Sequence, residues 1–415
     1  MIRMDYKKIR SVKKTLPVNT ILPYCRVYPA FLLCIIAVLL LASGCVRAPQ
    51  PGQPGGPAPA VVEIWHSLQG AETEALQAQA EWIMAKHSAV LVKLKYVPEA
   101  NFVNFSWLAE AGGKGPDIFI TSRETICQLY ERGMLAKPAY LDQGAYPAAL
   151  AAFQSEGTAF ASPWLTDVPL LYYRPDLARA PLNLDDLFGN RGGVSLTAAD
   201  MFSLAVWWSA PGSKIENSGP PVLTDSGNLE FLQQLLRRQE SGSLRIDASA
   251  SGTFAAGQSF YMIAGAGHAK SLSESGVPWR SMSLSDLVGG QGQPLLCATL
   301  GIANSTIKTT EILLPAIRLV EKELLALETQ AAMALAGNRL PVNTGYYLLP
   351  EAAEGVYPQA AAALENAWVL EGTAREWKVF PWLEKAWGKA LAGEMTPEEA
   401  LAYAQEEAQK DLAPK

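Results

Sequence analysis

The sequence predicts an α/β protein with two lobes, and three observations carry this prediction. Apolar strand patterns and amphipathic helix patterns alternate from residue 61 to residue 132. A second series of helices and strands follows residue 177. Between the two series lies one strand, residues 168–173, that is apolar almost throughout. Because such alternation is typical of parallel α/β sheets, we expect one lobe on each side of this strand.

The first series has the clearest periodicity. Its strands are predicted at 61–65, 90–96 and 116–120, and its helices at 71–87, 101–111 and 124–132. Leu76, Ala80 and Ile83 recur at helical spacing in the first helix. Lys93 and Lys95 alternate with apolar residues in the second strand, as on a half-buried sheet surface.

The second series is less regular. Helices are predicted at 183–188, 197–209, 230–240, 253–257 and 309–337, and a strand at 260–264. The last helix opens at Thr396, where a hydroxyl cap precedes Pro397 and two acidic residues in the first turn.

The strand at 168–173 is apolar enough to be buried on both faces. Trp164, Thr166 and Asp167 directly precede it. A Trp, a Thr and an Asp grouped together suit a pocket better than a core. We therefore expect this strand to cross between the lobes, with these three side chains in the cleft.

The N-terminus has the features of an export signal. Basic residues precede an apolar run at 30–41, and small residues lead to Cys45. The run is shorter than the ~20 residues that span a bilayer. Residues 46–60 are rich in Pro and Gly with almost no charge, so they read as a tether that cannot bury enough apolar surface to fold.

Composition excludes some classes of protein. A net charge of −6 and a pI of 5.4 argue against nucleic-acid binding. Cys127 and Cys297 are the cysteines left after the signal and Cys45, and two separately buried thiols are favoured over a disulfide between them. No G-x-S-x-G, H-E-x-x-H or P-loop pattern is present, so the sequence predicts no enzyme and no cofactor.

Candidate ligand-binding residues follow the predicted strands. In parallel sheets, ligands bind at the loops beyond the carboxyl ends of strands. This rule selects the residues that follow the first and third strands: Trp65, His66, Gly70, Thr121, Ser122 and Arg123.

Several of these residues have two readings. Trp65 and Trp164 stack on a sugar ring or belong to the core, and Asp167 accepts bonds from hydroxyls or caps a turn. Arg123 pairs with a ligand carboxylate or phosphate, or is solvated or salt-bridged. Tyr346 presents its hydroxyl to the cleft in one reading.

His66 and His268 are expected on opposite lobes. Only three histidines are present, and no carboxylate cluster accompanies them. We therefore expect hydrogen bonding from these rings and no metal site. Trp207 and Trp208, in a predicted helix, are more typical of a core.

The chain resembles the extracellular solute-binding proteins of the group that includes maltose-binding protein, the receptors of bacterial ABC importers. The resemblance rests on stretches that keep the family's order: VEIWH at 62–66, GPDIF at 115–119, the strand at 168–173, FAAGQSFYMI at 254–263, LPV at 340–342 and GEMTPEEAL at 393–401. The LASGC stretch at 41–45 resembles the lipobox of bacterial lipoproteins, with Ala42 where Leu is usual.

The resemblance implies the two-lobe, type II periplasmic-binding-protein fold, with mixed sheets joined by a hinge. It implies a signal peptide at 1–44, a tether at 45–60, lobe I from 61–168 and 302–343, and lobe II from 169–301 and 344–415. It further implies lipidation of Cys45, an extracytoplasmic location at the membrane, a carbohydrate ligand in the cleft, and an ABC permease as partner.

Two departures from the family pattern leave the ligand open. Sugar-binding members often have Gly-Pro-Trp where this chain has Gly265-Ala266-Gly267-His268. The loop that commonly offers Asp or Asn here offers Arg123. The alternatives are an anionic solute, such as a sugar acid or glycerol phosphate, and reuse of the fold as a surface sensor.

Overall fold

A computed structural model describes residues 58–190, 192–197, 222–288, 294–306, 312–369 and 379–412. The expected signal peptide, Cys45 and nearly all of the tether lie outside these residues. So do almost all of the predicted helix at 197–209, with Trp207 and Trp208, and the beginning of the one at 309–337. Residues from Pro59 onward form one compact unit.

Strands and helices are numbered in chain order. The strands are β1 (Ala60–His66), β2 (Val90–Tyr96), β3 (Ile118–Ser122), β4 (Leu135–Ala136), β5 (Gln154–Ser155), β6 (Thr158–Ala159), β7 (Ser162–Asp167), β8 (Pro169–Tyr173), β9 (Val194–Leu196), β10 (Leu244–Ile246), β11 (Tyr261–Gly265), β12 (Arg280–Ser283), β13 (Cys297–Ser305) and β14 (Leu340–Pro341). The α-helices are α1 (Ala71–Lys86), α2 (Glu99–Ala111), α3 (Arg123–Glu131), α4 (Pro147–Ala151), α5 (Leu184–Gly189), α6 (Ser226–Glu240), α7 (Ala250–Ala255), α8 (His268–Glu274), α9 (Leu314–Leu324), α10 (Leu327–Gly337), α11 (Tyr357–Glu365), α12 (Phe380–Leu391) and α13 (Pro397–Leu412).

The first sheet has the strand order β14-β7-β13-β3-β1-β2, and β4 pairs with β13. Strand β1 is parallel to both β2 and β3, as the alternating pattern of the first series predicts. Strands β13, β7 and β14 pair antiparallel, so the sheet is mixed. Helix α1 packs on one face against Val62 and Ile64, and α2 packs on the other against Phe119.

The second sheet has the strand order β10-β9-β11-β8-β12. Strand β8 lies inside the sheet and is antiparallel to both of its neighbours, β11 and β12. Its apolar residues Leu170, Leu171 and Tyr172 are fully buried, as expected for a strand covered on both faces. The chain therefore forms the two α/β lobes that the sequence predicts.

The sequence predicts that the strand at 168–173 crosses between the lobes, but the crossing between the two sheets is shorter than this strand. The residues before the crossing strand form a strand of their own, β7, which belongs to the first sheet. Only Val168 separates β7 from β8. The strand β13 also lies wholly in the first sheet, whereas the predicted lobe boundary at residue 301 assigns its first half to lobe II. The segmental division of the lobes otherwise stays a prediction.

Two helix predictions show where local patterns succeed and fail. At the start of α13, Thr396 and Glu399 form a capping box: the Glu399 backbone N–H donates to the Thr396 hydroxyl at 3.2 Å, and the Thr396 N–H donates to the Glu399 carboxylate at 2.9 Å. The long helix predicted at 309–337 is wrong, because the chain breaks into α9 and α10 at Leu325. No helix among the described residues is both long and apolar enough to cross a membrane.

A buried carboxyl group in α9 makes stability depend on pH. Glu321 is fully buried and accepts a hydrogen bond from the Tyr140 backbone N–H at 2.7 Å. Burial raises the pKa of Glu321 to about 8. Because the folded state keeps a proton that the unfolded state releases above its ordinary pKa near 4.5, the stability from this group is complete below pH 4.5 and is lost as pH rises through 8.

We predict that Glu321→Gln flattens this pH dependence. Gln resembles the protonated acid and cannot ionise, so the stability of wild type relative to the variant should fall from pH 5 to pH 8 by up to about 1.4 kcal/mol per pH unit. Thermal unfolding across this range measures the difference, with the exposed Glu328→Gln as the control. A constant difference between wild type and Glu321→Gln contradicts the assignment.

Candidate functional site

The strand register brings the carboxyl ends of the two sheets together. His66 pairs with Ile120 between β1 and β3, Ser122 pairs with Leu300 between β3 and β13, and Asp167 pairs with Cys297 between β7 and β13. These residues therefore share one edge of the first sheet. In the second sheet, Pro169 at the start of β8 pairs with Gly265 at the end of β11. The two edges meet where Asp167 connects to Pro169, which is the position at which α/β sheets bind ligands.

Asp167 is the acidic group at this junction. Its Oδ1 accepts a hydrogen bond from the Val168 N–H at 2.7 Å, and its Oδ2 lies 3.4 Å from the Gly267 N–H of the second lobe. Burial raises the pKa of Asp167 to about 6, and hydrogen bonds from the backbone and the charge of nearby His268 oppose that rise. The structure thus brings together Asp167 and His268, which the sequence places 101 positions apart.

Two glycines allow the lobes to approach this closely. A Cβ atom on Gly265 would lie 2.2 Å from the Asp167 Oδ2, and one on Gly267 would lie 2.2 Å from the carbonyl oxygen of Asn338. Asn338 ends α10 in the left-handed region at φ 51°. The hydroxyl of Tyr172 holds the same turn by donating to the Gly265 carbonyl at 3.0 Å. Gly265 therefore gives the space that Asp167 occupies, and Gly267 gives the space that the Asn338 carbonyl occupies.

A second carboxylate, Glu99, lies behind the rim of the first sheet. Its carboxylate accepts hydrogen bonds from the hydroxyls of Thr121 at 2.7 Å, Ser122 at 2.5 Å and Thr125. Ser67 lies 2.8 Å from the Thr121 hydroxyl. Burial would raise the pKa of Glu99, but the hydroxyl hydrogen bonds outweigh it and hold the pKa below its ordinary value. Thr121 and Ser122 are thus committed to Glu99, and Thr121 is fully buried.

Three of the residues predicted to bind ligand in the cleft belong to the core. Trp65 is 1% exposed and its Nε1 donates to Glu63 at 2.8 Å. Trp164 is 0% exposed and its Nε1 donates to the Leu324 carbonyl at 2.8 Å. Thr166 is fully buried against Thr299 at 3.0 Å. The expectation that these side chains are exposed in the cleft is wrong, because Trp65 lies in β1 and Trp164 and Thr166 lie in β7, and both strands are inside the first sheet.

Arg123 is also buried inside the first lobe. It is 3% exposed, and its Nε donates to the Ala152 carbonyl at 2.7 Å within the first lobe. Arg123 begins α3, where Ser122 caps the helix by accepting from the Thr125 N–H at 3.2 Å. This helix start turns the guanidinium toward the interior, which contradicts the prediction of an exposed cation.

The remaining predicted residues differ in exposure. His66 is buried, lies 5.9 Å from the Tyr96 ring, and has its pKa lowered mainly by burial. Gly70 is exposed at φ 53°, just before α1. Tyr346 is buried edge-to-face against Tyr347 at 5.3 Å, and burial raises its pKa.

An ion pair at the same edge has no signal in the sequence. Arg339 donates from Nε to the Glu72 carboxylate at 2.7 Å and from Nη1 to the Ala298 carbonyl at 2.7 Å. Ala298 is held in the left-handed region at φ 47°, where β13 is bulged. The Glu72–Arg339 pair spans 267 positions of the chain, so only the folded structure shows it.

A groove of about 200 Å³ lies between the lobes beside this ion pair. It carries cations from both sides, Lys270 and Arg339, and two aromatic rings, Trp279 and Tyr357. Among the described residues, no group of three His, Cys, Asp or Glu side chains is placed to hold a metal ion.

Two α/β lobes that meet around a half-buried carboxylate define a binding protein with its site between the lobes. Residues 92–361 match the family model described as bacterial extracellular solute-binding protein. The chain belongs to this family, which implies an extracytoplasmic location. The maltotriose-binding protein of Pyrococcus abyssi (strain GE5 / Orsay) is 29% identical over 132 residues, which are 30% of this chain and 29% of that protein.

Solved structures share the fold at low identity. A cyclo/maltodextrin-binding protein complexed with maltotetraose matches with a TM-score of 0.74 and 17% identity over 86% of this chain and 98% of that one. The GacH receptor of Streptomyces glaucescens, solved unliganded and with acarbose, matches with a TM-score of 0.68 and 20% identity over 86% and 99%. A maltose/maltodextrin-binding domain from Bdellovibrio bacteriovorus bound to maltotriose matches with 0.65 and 17% over 85% and 99%.

We predict that Gly267→Ala destabilises the protein by about 1–3 kcal/mol, the usual range for an added methyl group in a packed site. The new Cβ meets a backbone carbonyl, which cannot rotate away as a side chain can. Urea unfolding measures the effect. Gly388→Ala is the matched control, because its Cβ has nothing within 4 Å and lies in α12. Equal stability of Gly267→Ala and wild type would show that the lobes separate easily at Asn338.

Proposed function

We propose that this protein captures an oligosaccharide of the maltodextrin type between its lobes and delivers it to an ABC permease. The observation that carries the proposal is the meeting of both carboxyl edges around Asp167. Support comes from the relative named for maltotriose and from the neighbours solved with maltotriose, maltotetraose and acarbose. A ligand bound at this position contacts both lobes, which favours a closed form that a permease recognises.

In this proposal Asp167 is the principal hydroxyl acceptor. An ionised carboxylate offers about four acceptor positions, and the backbone N–H groups of Val168, Gly267 and Ala266 act on three of those of Asp167, which leaves room for a ligand hydroxyl. In the same proposal, His268 contacts the ligand from the second lobe and the exposed Gly70 contacts it from the first lobe. A site built to pair hydroxyls rejects analogues that lack them.

A neutral ligand is favoured over an anionic one. The prediction of an anionic solute rested on Arg123, and the guanidinium of Arg123 is turned toward Ala152 inside the first lobe. The carboxylate of Asp167 at the junction would repel a sugar acid or a phosphate above its pKa of about 6. Of the two cations of the groove, Lys270 and Arg339, Arg339 is already paired with Glu72.

Binding without turnover fits the other carboxylates of the first lobe. A glycosidase needs two carboxyl groups on either side of the bond it breaks. Glu63 bonds Trp65, and Asp117 accepts the Glu63 backbone N–H at 2.7 Å. Both acids are therefore occupied within the first lobe, which supports the role of a receptor.

We predict that Asp167→Asn weakens binding of maltotriose by about 10- to 100-fold, the range expected for losing hydrogen bonds to a charged group. The affinity of wild type should also fall as pH drops from 7.5 through 6, because Asp167 takes up a proton. Isothermal titration calorimetry with maltotriose at several pH values measures both effects. Asp185→Asn, on α5 and almost fully exposed, is the control.

Unchanged affinity in Asp167→Asn would remove this carboxylate from the site. If maltotriose, maltotetraose and other neutral sugars fail to bind wild type, and a sugar acid or glycerol phosphate binds, the neutral-sugar proposal is wrong. Release of smaller sugars during the titration would contradict the role of a receptor.

We further propose that Cys45 carries the lipid that anchors the protein to the outer face of the membrane. The small residues before Cys45 and the Pro- and Gly-rich segment after it support this proposal. We predict that mass spectrometry of the mature protein finds an acylated N-terminal Cys45, and that Cys45→Ala removes the modification. A mature N-terminus without an acyl group would contradict the anchor and leave sugar binding untouched.

A further inference from the structure

The outer face of helix α2 carries no charge. Its two acids are both occupied: Glu99 accepts the hydroxyls of Thr121 and Ser122, and Glu110 is buried and accepts the Ser305 hydroxyl at 2.7 Å. The exposed residues of the helix are Ala100, Asn101, Asn104, Phe105, Trp107, Leu108 and Ala111. A surface helix normally puts polar and charged residues outward, so α2 has the outer face of a helix that something covers.

Three large apolar side chains dominate this face. Phe105 is 53% exposed, Trp107 is 52% exposed and Leu108 is 63% exposed. The edge strand β2 extends the surface, because Leu91 is exposed on the same side of the sheet as Lys95, and the Lys95 Nζ lies 5.7 Å from the Phe105 ring. Phe105 and Leu108, three positions apart, are neighbours on the helix surface, and exposed apolar surface of this kind marks a contact with a protein or a membrane.

Exposed lysines lie on β2 beside this helix and in the chain that follows it. Lys93 and Lys95 alternate with Leu91 along β2, and Lys114 follows the end of α2. All three lysines are exposed. Aromatic and aliphatic side chains interleaved with Lys are typical of surfaces that lie in the headgroup region of a membrane, where anionic lipids attract the cations.

We propose that the outer face of α2, with the neighbouring edge of β2, binds the surface of an anionic lipid membrane. The proposal rests on the lipid anchor of the proposed function. Even fully extended, the segment from Cys45 to Pro59 spans at most about 50 Å. The first strand after it, β1, pairs with β2 through Val61 and Leu91, and both of these side chains are exposed. The anchored chain therefore enters the folded domain at this surface.

Quenching by brominated lipids tests this orientation. The exported protein is reconstituted in vesicles of brominated phosphatidylcholine with about a third anionic phosphatidylglycerol, or mixed with them if it is recovered without lipid. We expect Trp107→Phe to remove roughly half or more of the lipid-dependent quenching, because the Trp107 ring enters the interface. Trp82→Phe is the matched control: Trp82 is 46% exposed, but it lies on α1, across the sheet. Equal quenching in the two variants overturns the proposal.

A second pair of variants removes the apolar surface itself. The double change Phe105→Ser with Leu108→Ser should abolish the quenching at Trp107, whereas Leu182→Ser with Ile312→Ser, also exposed but elsewhere, should leave it unchanged. Loss of quenching in both doubles, or in neither, overturns the proposal.

Two other outcomes would assign this face to a different partner. A dimer that forms without lipid and is lost in the first double would assign it to a second copy of the chain. Protection of α2 only when permease is present would assign it to the permease.

The same variants keep this proposal separate from sugar binding. The shift of the melting temperature with maltotriose reports the cleft and should be the same for all four variants. If wild type shows no shift with any sugar and Trp107 is still quenched, the ligand assignment fails and membrane contact stands.

Discussion

The structure depends on the close approach of the two lobes at Asp167. One side chain from β7 fits against the end of β11 because Gly265 and Gly267 lack side chains there. The same turn meets the carbonyl of Asn338 from α10, so three distant parts of the chain converge within a few ångströms. Apolar packing continues through this junction, because Trp65 and Phe119 of the first lobe share one core with Leu170 and Tyr172 of the second. Buried charge is tolerated there since backbone N–H groups face the carboxylate.

Carboxyl groups that are removed from water in this protein differ in charge state, according to the balance between burial and hydrogen-bond donors. At Glu99 the hydroxyl donors outweigh burial and the carboxylate stays ionised, whereas at Glu321 burial outweighs the donors and the group holds its proton. Asp167 lies between these extremes. Of the three acids, Asp167 is the one that lies at the junction of the lobes, and a pKa of about 6 lets its charge change close to neutral pH. This property makes Asp167 more suitable for a reversible site than either of the other two acids.

Local patterns predicted the fold where periodicity is strong. Strand β2 spans the predicted residues, and α1 begins at the predicted residue, because alternating and helical spacings there are regular. They failed where neither Gly nor Pro marks a boundary, as at Leu325 between α9 and α10. The site was harder to predict, because burial depends on distant partners. No sequence feature near Trp164 predicts that the Leu324 carbonyl accepts its indole N–H. None near Arg123 predicts that its guanidinium donates to the Ala152 carbonyl.

The single residue between β7 and β8 restricts how the lobes can move. A proline ring fixes φ at Pro169, so torsion at this crossing is confined to the ψ angle of Asp167 and the two angles of Val168. Val is β-branched and stiff at χ1, and Val168 is fully buried. Because the connection is this short, the two sheets can rotate about it, but they cannot slide past each other there. The carboxylate beside this connection moves least when the lobes rotate about it, so the ligand contact that we propose for Asp167 would persist while the lobes close.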